Sequence, residues 1–104
     1  MRLSIALGLA AGLAFPALPG LAATAEREED CGFQAQVVEA VRQARLDRVA
    51  ERKVADHIAA TEPGWPDRYD TAIPLVTPWV YEMKMRVVKA EDLAAAWKEL
   101  CLQQ

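Results

Sequence analysis

Cys31 and Cys101 are the only cysteines of the chain, about seventy residues apart, and no other feature limits its fold so tightly. What the pair means depends on the compartment, and the N-terminus supplies an address. Arg2 gives a positive start, Leu3 to Phe15 an apolar run, and Pro16 and Pro19 a break. Ala23-Thr24-Ala25 then fits the small-x-small pattern of signal cleavage, so residues 1–25 read as a signal peptide with Glu26 first in the mature chain. Cleavage after Ala22 or Ala23 and an uncleaved anchor are the alternatives. The apolar run spans about a dozen residues, short of the ~20 that a bilayer span needs. No twin arginine precedes it, and Glu29-Asp30 before Cys31 spoils that cysteine as a lipid acceptor. The expectation is an exported protein, periplasmic or secreted, with no stable membrane anchor after cleavage.

Residues 26–104 then form a single domain of 79 residues. A domain of this size buries only ~60% of its unfolded surface, so it has little stability to spare. In an oxidising compartment the two cysteines offer a staple. A metal pair, a reactive thiol and an intermolecular bridge are the competing readings. One pair, no Cys-x-x-Cys and no nearby histidine weigh against the first two. An intramolecular bridge is therefore expected. By loop-closure entropy it contributes ~4 kcal/mol, a large share of a typical total of ~5–10 kcal/mol.

Apolar periodicity predicts an all-α fold, a compact bundle of about four helices near 32–46, 48–60, 67–87 and 90–102. Residues 26–30 are charged and aperiodic, and read as a solvated arm. Phe33, Val37, Ala40, Val41 and Ala44 then make one stripe, which Leu46, Val49 and Val54 do not continue. The segment is therefore broken near 46–49, with Asp47 as the expected cap of a second helix bearing Ala50, Val54, His57 or Ile58, and Thr61. Pro63-Gly64-Trp65-Pro66 ends that helix. Tyr69, Ile73, Val76, Val80, Met83 and Val87 follow at helical spacing, with Pro74 and Pro78 on the opposite face. Each interior proline costs ~3 kcal/mol in an ideal helix, which predicts a kink or a split. Val87-Val88-Lys89 reads as a connector, and a last helix presents Leu93, Ala96, Trp97 and Leu100.

Cys31, the hinge from Ala44-Arg45 to Val49, the segment Trp79-Val80-Tyr81-Glu82 and Cys101 together carry a resemblance. Over its whole mature length the chain resembles the small, all-helical, cysteine-bracketed exported proteins of Proteobacteria. That resemblance implies a fold and a periplasmic compartment but no activity. More loosely, the chain is similar to periplasmic acid-stress chaperones, which are also small, helical and singly disulfide-bonded.

Catalytic parts are scarce. His57 is the only histidine and has no partner set for zinc or for acid–base work. After the signal peptide there is no serine, and no phosphate-cradling glycine loop or haem-attachment motif occurs. Asp67/Asp70 and Glu91/Asp92 sit at expected helix starts, where the macrodipole accounts for them. No cofactor and no metal are expected. Without Arg2, eleven basic residues face fifteen acidic ones, a charge of −4 that gives no general reason to bind nucleic acid. Arg42, Arg45, Arg48, Arg52 and Lys53 are interleaved with acids and read as a solvated face.

What stands out is aromatic. Trp97 reads as core, Trp79 flanks the central stripe, and Trp65 between two prolines is either a lid on the core or an exposed recognition residue. Tryptophan is enriched at binding hot spots, so Trp65, Trp79 and Tyr81 are the candidate partner-binding residues. The reading is a non-enzymatic periplasmic interaction module for an unidentified protein partner. An acid-stress holdase that exposes its core when its carboxylates are protonated is the second reading, and a small enzyme the third.

Overall fold

A computed structural model describes residues 18–104, with side-chain environments from residue 24 onwards. Most of the assigned signal peptide lies outside the described residues. Five α-helices and two 3-10 segments follow one another, and no strand occurs among the described residues. Helix α1 (Leu18–Leu46) has 29 residues and reaches ~43 Å at 1.5 Å per residue. After it come a 3-10 turn (Glu51–Lys53), α2 (Val54–Ala60), a second 3-10 segment (Asp67–Ala72), α3 (Ile73–Tyr81), α4 (Met85–Ala90) and α5 (Leu93–Leu102). No described helix is long and apolar enough to cross a membrane.

The core is built on one face of α1. Val37, Val38, Val41 and Ala44 are fully buried, and Val54, Ile58, Tyr69, Ile73, Val76, Val80, Val88 and Leu93 close over them. α5 runs antiparallel to α1: Cys101 bonds Cys31, Trp97 reaches Gln34, and Val88, before α5 begins, meets Arg42. α3 runs in the same sense as α1, since Tyr69 meets Asp30 and Met83 meets Arg45. The Cys31–Cys101 disulfide thus ties the first helix to the last, with Cα atoms 5.7 Å apart.

Several boundaries differ from the sequence-based expectation. Residues 26–30 are helical, and α1 runs through the expected cleavage site without a break. Contacts with α5 and the second 3-10 segment hold this part: Arg27 Nη2 donates to the Cys101 carbonyl (2.7 Å), Glu28 pairs with Lys98 (3.3 Å), and Asp30 accepts from Tyr69. The break after Leu46 lies where expected, but Asp47 caps nothing. α1 ends in a Schellman turn, with Val49 N–H on the Ala44 carbonyl (3.0 Å), Arg48 N–H on the Arg45 carbonyl (3.1 Å) and Arg48 at φ 63°. Residues 48–60 therefore form a 3-10 turn plus α2, and His57 on α2 is exposed.

The proline-rich stretch is split, which was one of the two expected outcomes. Pro74 and Pro78 face solvent, and the buried Thr77 hydroxyl donates to the Ile73 carbonyl (2.6 Å). However, α3 stops at Tyr81 instead of running to residue 87. The connector is Glu82 to Lys84, and Val87 to Lys89 lie inside α4, which buries Val88 where Val87 was expected. Asp92 caps α5, its Oδ1 accepting from Ala95 N–H (3.0 Å).

Two stability changes follow. Replacing both cysteines by serine removes the loop constraint, and denaturant unfolding at neutral pH should show a loss of ~4 kcal/mol. Arg48→Gly relieves the left-handed conformation of an exposed residue, and the same measurement should show a gain of about 0.5–1 kcal/mol.

Candidate functional site

The expected core stripe of α5 does not stay in the core. Leu93 is buried, but Ala96 is exposed, Trp97 is half-buried and Leu100 stands 55% exposed. Across from it on α3, Leu75 is 75% exposed. These two leucines are the exposed large hydrophobic residues of the described chain. Trp97 of α5 shares a depression with each of them, and Trp79 of α3 packs against it, the two rings 5.3 Å apart and tilted. Leu75 and Trp79 are one turn apart on α3, and so are Trp97 and Leu100 on α5. An apolar face therefore crosses from one helix to the other.

Two depressions run along this face. One of about 320 Å³ includes Arg68, Tyr69, Leu75 and Trp97 in its wall, and one of about 440 Å³ includes Arg27, Trp97, Leu100 and the disulfide. Asp30, Gln34 and Trp97 belong to both, so the two form one groove with the Trp97 ring as its partition.

A chain of hydrogen bonds fixes that partition. Trp97 Nε1 donates to Gln34 Oε1 (2.9 Å), and Gln34 Nε2 donates to Asp30 Oδ2 (3.0 Å). Asp30 Oδ1 accepts from the Tyr69 hydroxyl (2.7 Å), which accepts from Arg68 Nη2 (3.1 Å). The Arg68 guanidinium also lies over the Tyr69 ring at 4.7 Å, and Phe33 packs on that ring at 5.1 Å. α1, the second 3-10 segment and α5 are locked together by these contacts. The hydrogen bond to the Asp30 carboxylate, followed by burial, pushes the Tyr69 phenol above its ordinary 10.0.

The candidate residues divide. Trp79 is half-buried and packs on the Trp97 ring, but it is not among the residues that line the groove. Trp65 is buried, its Nε1 donating to Asp70 Oδ1 (2.8 Å), so the lid alternative describes it and its ring is off the surface. Tyr81 lies elsewhere: its hydroxyl donates to the Val49 carbonyl (2.7 Å) under the Arg45 guanidinium (5.2 Å), and burial raises its pKa. Leu75, Leu100, Gln34 and Arg68 were not foreseen. Spacing alone had marked Leu100 as apolar-faced, but nothing local says whether a helix face is covered. Arg42 and Arg45 are not simply solvated, since half-buried Arg42 donates to the Val88 (2.8 Å) and Lys89 (3.2 Å) carbonyls at the end of α4.

Asp30 and the two cysteine sulfurs lie within 4.8 Å of one another, but the disulfide leaves no thiolate to ligate a metal. A depression of about 470 Å³ beside Trp65 carries Asp56, Glu62, Asp67 and Asp70. All four are solvent-exposed residues, whereas paired carboxylates doing acid–base work need environments that set them apart. Comparison with family models, curated proteins and solved structures gives no match in any of the three.

Both tyrosines should titrate late. Their protonated forms are favoured in the folded chain, so the stability they contribute is whole below pH 10 and falls as pH rises through their folded pKa values. Tyrosinate absorbance should therefore rise only above that point, and Tyr69→Phe should flatten the alkaline loss of stability.

Proposed function

We propose that the protein is a non-enzymatic interaction module of an oxidising, exported compartment, and that it binds another protein through the α3–α5 face. The observation that supports this reading is the grouping of Leu75 and Leu100 around the Trp79–Trp97 pair. Single exposed leucines are ordinary on a protein surface, whereas two that frame a groove with paired tryptophans are the composition of a docking site. Trp97 is held in a fixed orientation by Gln34, so little ordering is required when a partner arrives. The disulfide is consistent with export. This reading parts from the holdase one in mechanism: the face is open in the folded chain, and no acid-driven unfolding is needed to reveal it.

Affinity capture from periplasmic extract of the native host tests it. Leu75→Ser/Leu100→Ser changes only exposed side chains, and circular dichroism should be unaltered. The double variant should lose at least one partner that the wild type and a His57→Gln control both retain. Identical capture by all three proteins would remove the face from consideration.

A further inference from the structure

The groove repeats one arrangement at its two ends. Leu75 and Arg68 mark one end, Leu100 and Arg27 the other, with Trp97 between. Both arginines are exposed, and among the described residues neither lies within 4.0 Å of a carboxylate oxygen. Each is nevertheless positioned: Arg27 spends one Nη2 on the Cys101 carbonyl, and Arg68 one Nη2 on the Tyr69 hydroxyl. A guanidinium has five N–H donors, so most of each fork is left to face a ligand. The acid on the floor is already engaged, with both Asp30 oxygens accepting bonds from Tyr69 and Gln34. Nearby Glu28 is paired with Lys98.

Resting on the interaction reading above, we propose that the groove receives an apolar segment of another protein that carries a carboxylate on either side of its apolar residues. The apolar residues lie against Leu75, Trp97 and Leu100, and the two carboxylates meet Arg68 and Arg27. Charge complementarity selects this occupant. A second copy docking symmetrically would bring the same arginine-edged rim against itself, placing like charges together. A single-headed anionic amphiphile satisfies one arginine and leaves the other unused. Arginine at both rims favours the planar, bidentate recognition of carboxylates, a role lysine fills poorly.

Panning a displayed library of random twelve-residue peptides on the full, disulfide-bonded protein tests the proposal, with Leu75→Ser/Leu100→Ser as the counter-selection. The expected winners hold two or three apolar residues bracketed by Asp or Glu. A winning peptide, made synthetically and followed by Trp fluorescence, should bind about tenfold more tightly than its Lys-substituted counterpart. Arg27→Gln/Arg68→Gln should erase that preference while leaving the contribution of the leucines, and raising salt from about 0.05 to 0.5 M should weaken only the acidic peptide. Basic or uncharged winners, or no enrichment at all, overturn the proposal. So does Arg-dependent binding of sodium dodecanoate without peptide binding, or self-association that Leu75→Ser abolishes. If capture depends on the leucines but the winning peptides are basic, the interaction face survives and its acidic occupant does not. Capture indifferent to the leucines removes both.

Discussion

Burial against one side of α1 is the interaction on which everything else rests. Val37, Val38, Val41 and Ala44 exclude solvent completely, and all four later helices pack on the helix that carries them. The other helices have six to ten residues each, too short to persist alone in water. They exist because an amphipathic face docks on a long neighbour. α1 also supplies polar fastenings at both ends of the returning chain. Arg42 donates to the last carbonyls of α4, and Arg27 to the Cys101 carbonyl at the end of α5. Helix ends carry unpaired carbonyls and partial negative charge, so a cation placed there satisfies both needs at once. The disulfide then fixes covalently the same end that Arg27 caps.

This arrangement accounts for what could and could not be read beforehand. The stripe of Tyr69, Ile73, Val76 and Val80 is legible because residues three and four apart share a face whatever covers it, and it persists although Tyr69 lies in the 3-10 segment that precedes α3. The end of α3 at Tyr81 is not legible, because Glu82-Met83-Lys84 contains neither glycine nor proline. There the chain is turned by tertiary contacts, including the Tyr81 hydroxyl on the Val49 carbonyl. The left-handed residue that closes α1 was hidden for a related reason. Glycine is the usual sign of such a turn, and Arg48 stands in its place. Residues 26–30 looked like a free arm because their partners, Lys98, Cys101 and Tyr69, are about forty to seventy residues away in sequence. Local rules find faces and breaks, and long-range pairing decides the rest.

The candidate site shows the same division. The tryptophans were visible as unusual residues, but their roles depended on placement. Trp65 proved to be the lid whose indole N–H is satisfied by Asp70, while Trp97 packs half-buried at the edge of the core with its indole N–H on Gln34. No sequence motif links Gln34 to Asp30 and Tyr69. Their alignment follows from the antiparallel return of α5 and the parallel course of α3 on either side of α1. The groove is thus a product of topology, and each polar group in its floor is accounted for by a partner.

The energetics give the apolar rim its interest. Full burial of a leucine side chain is worth about 1.5–3 kcal/mol, and two of them left in water forgo a sum comparable to the contribution of the disulfide. A domain with a core this small could recover part of that by bending α5 inward, yet the Trp97–Gln34–Asp30–Tyr69 chain holds α5 where Leu100 stays out. That chain is a costly thing to build on the floor of a groove, since each buried polar atom must find a partner or be penalised. Its effect is a rigid indole edge between two exposed leucines, with an arginine fixed beside each. Rigid aromatic and guanidinium groups lose little freedom on binding, so such a surface loses less on association than a mobile one of equal area. On the proposed reading, the leucines that this small fold leaves uncovered and the bonded chain that holds Trp97 between them serve the same end.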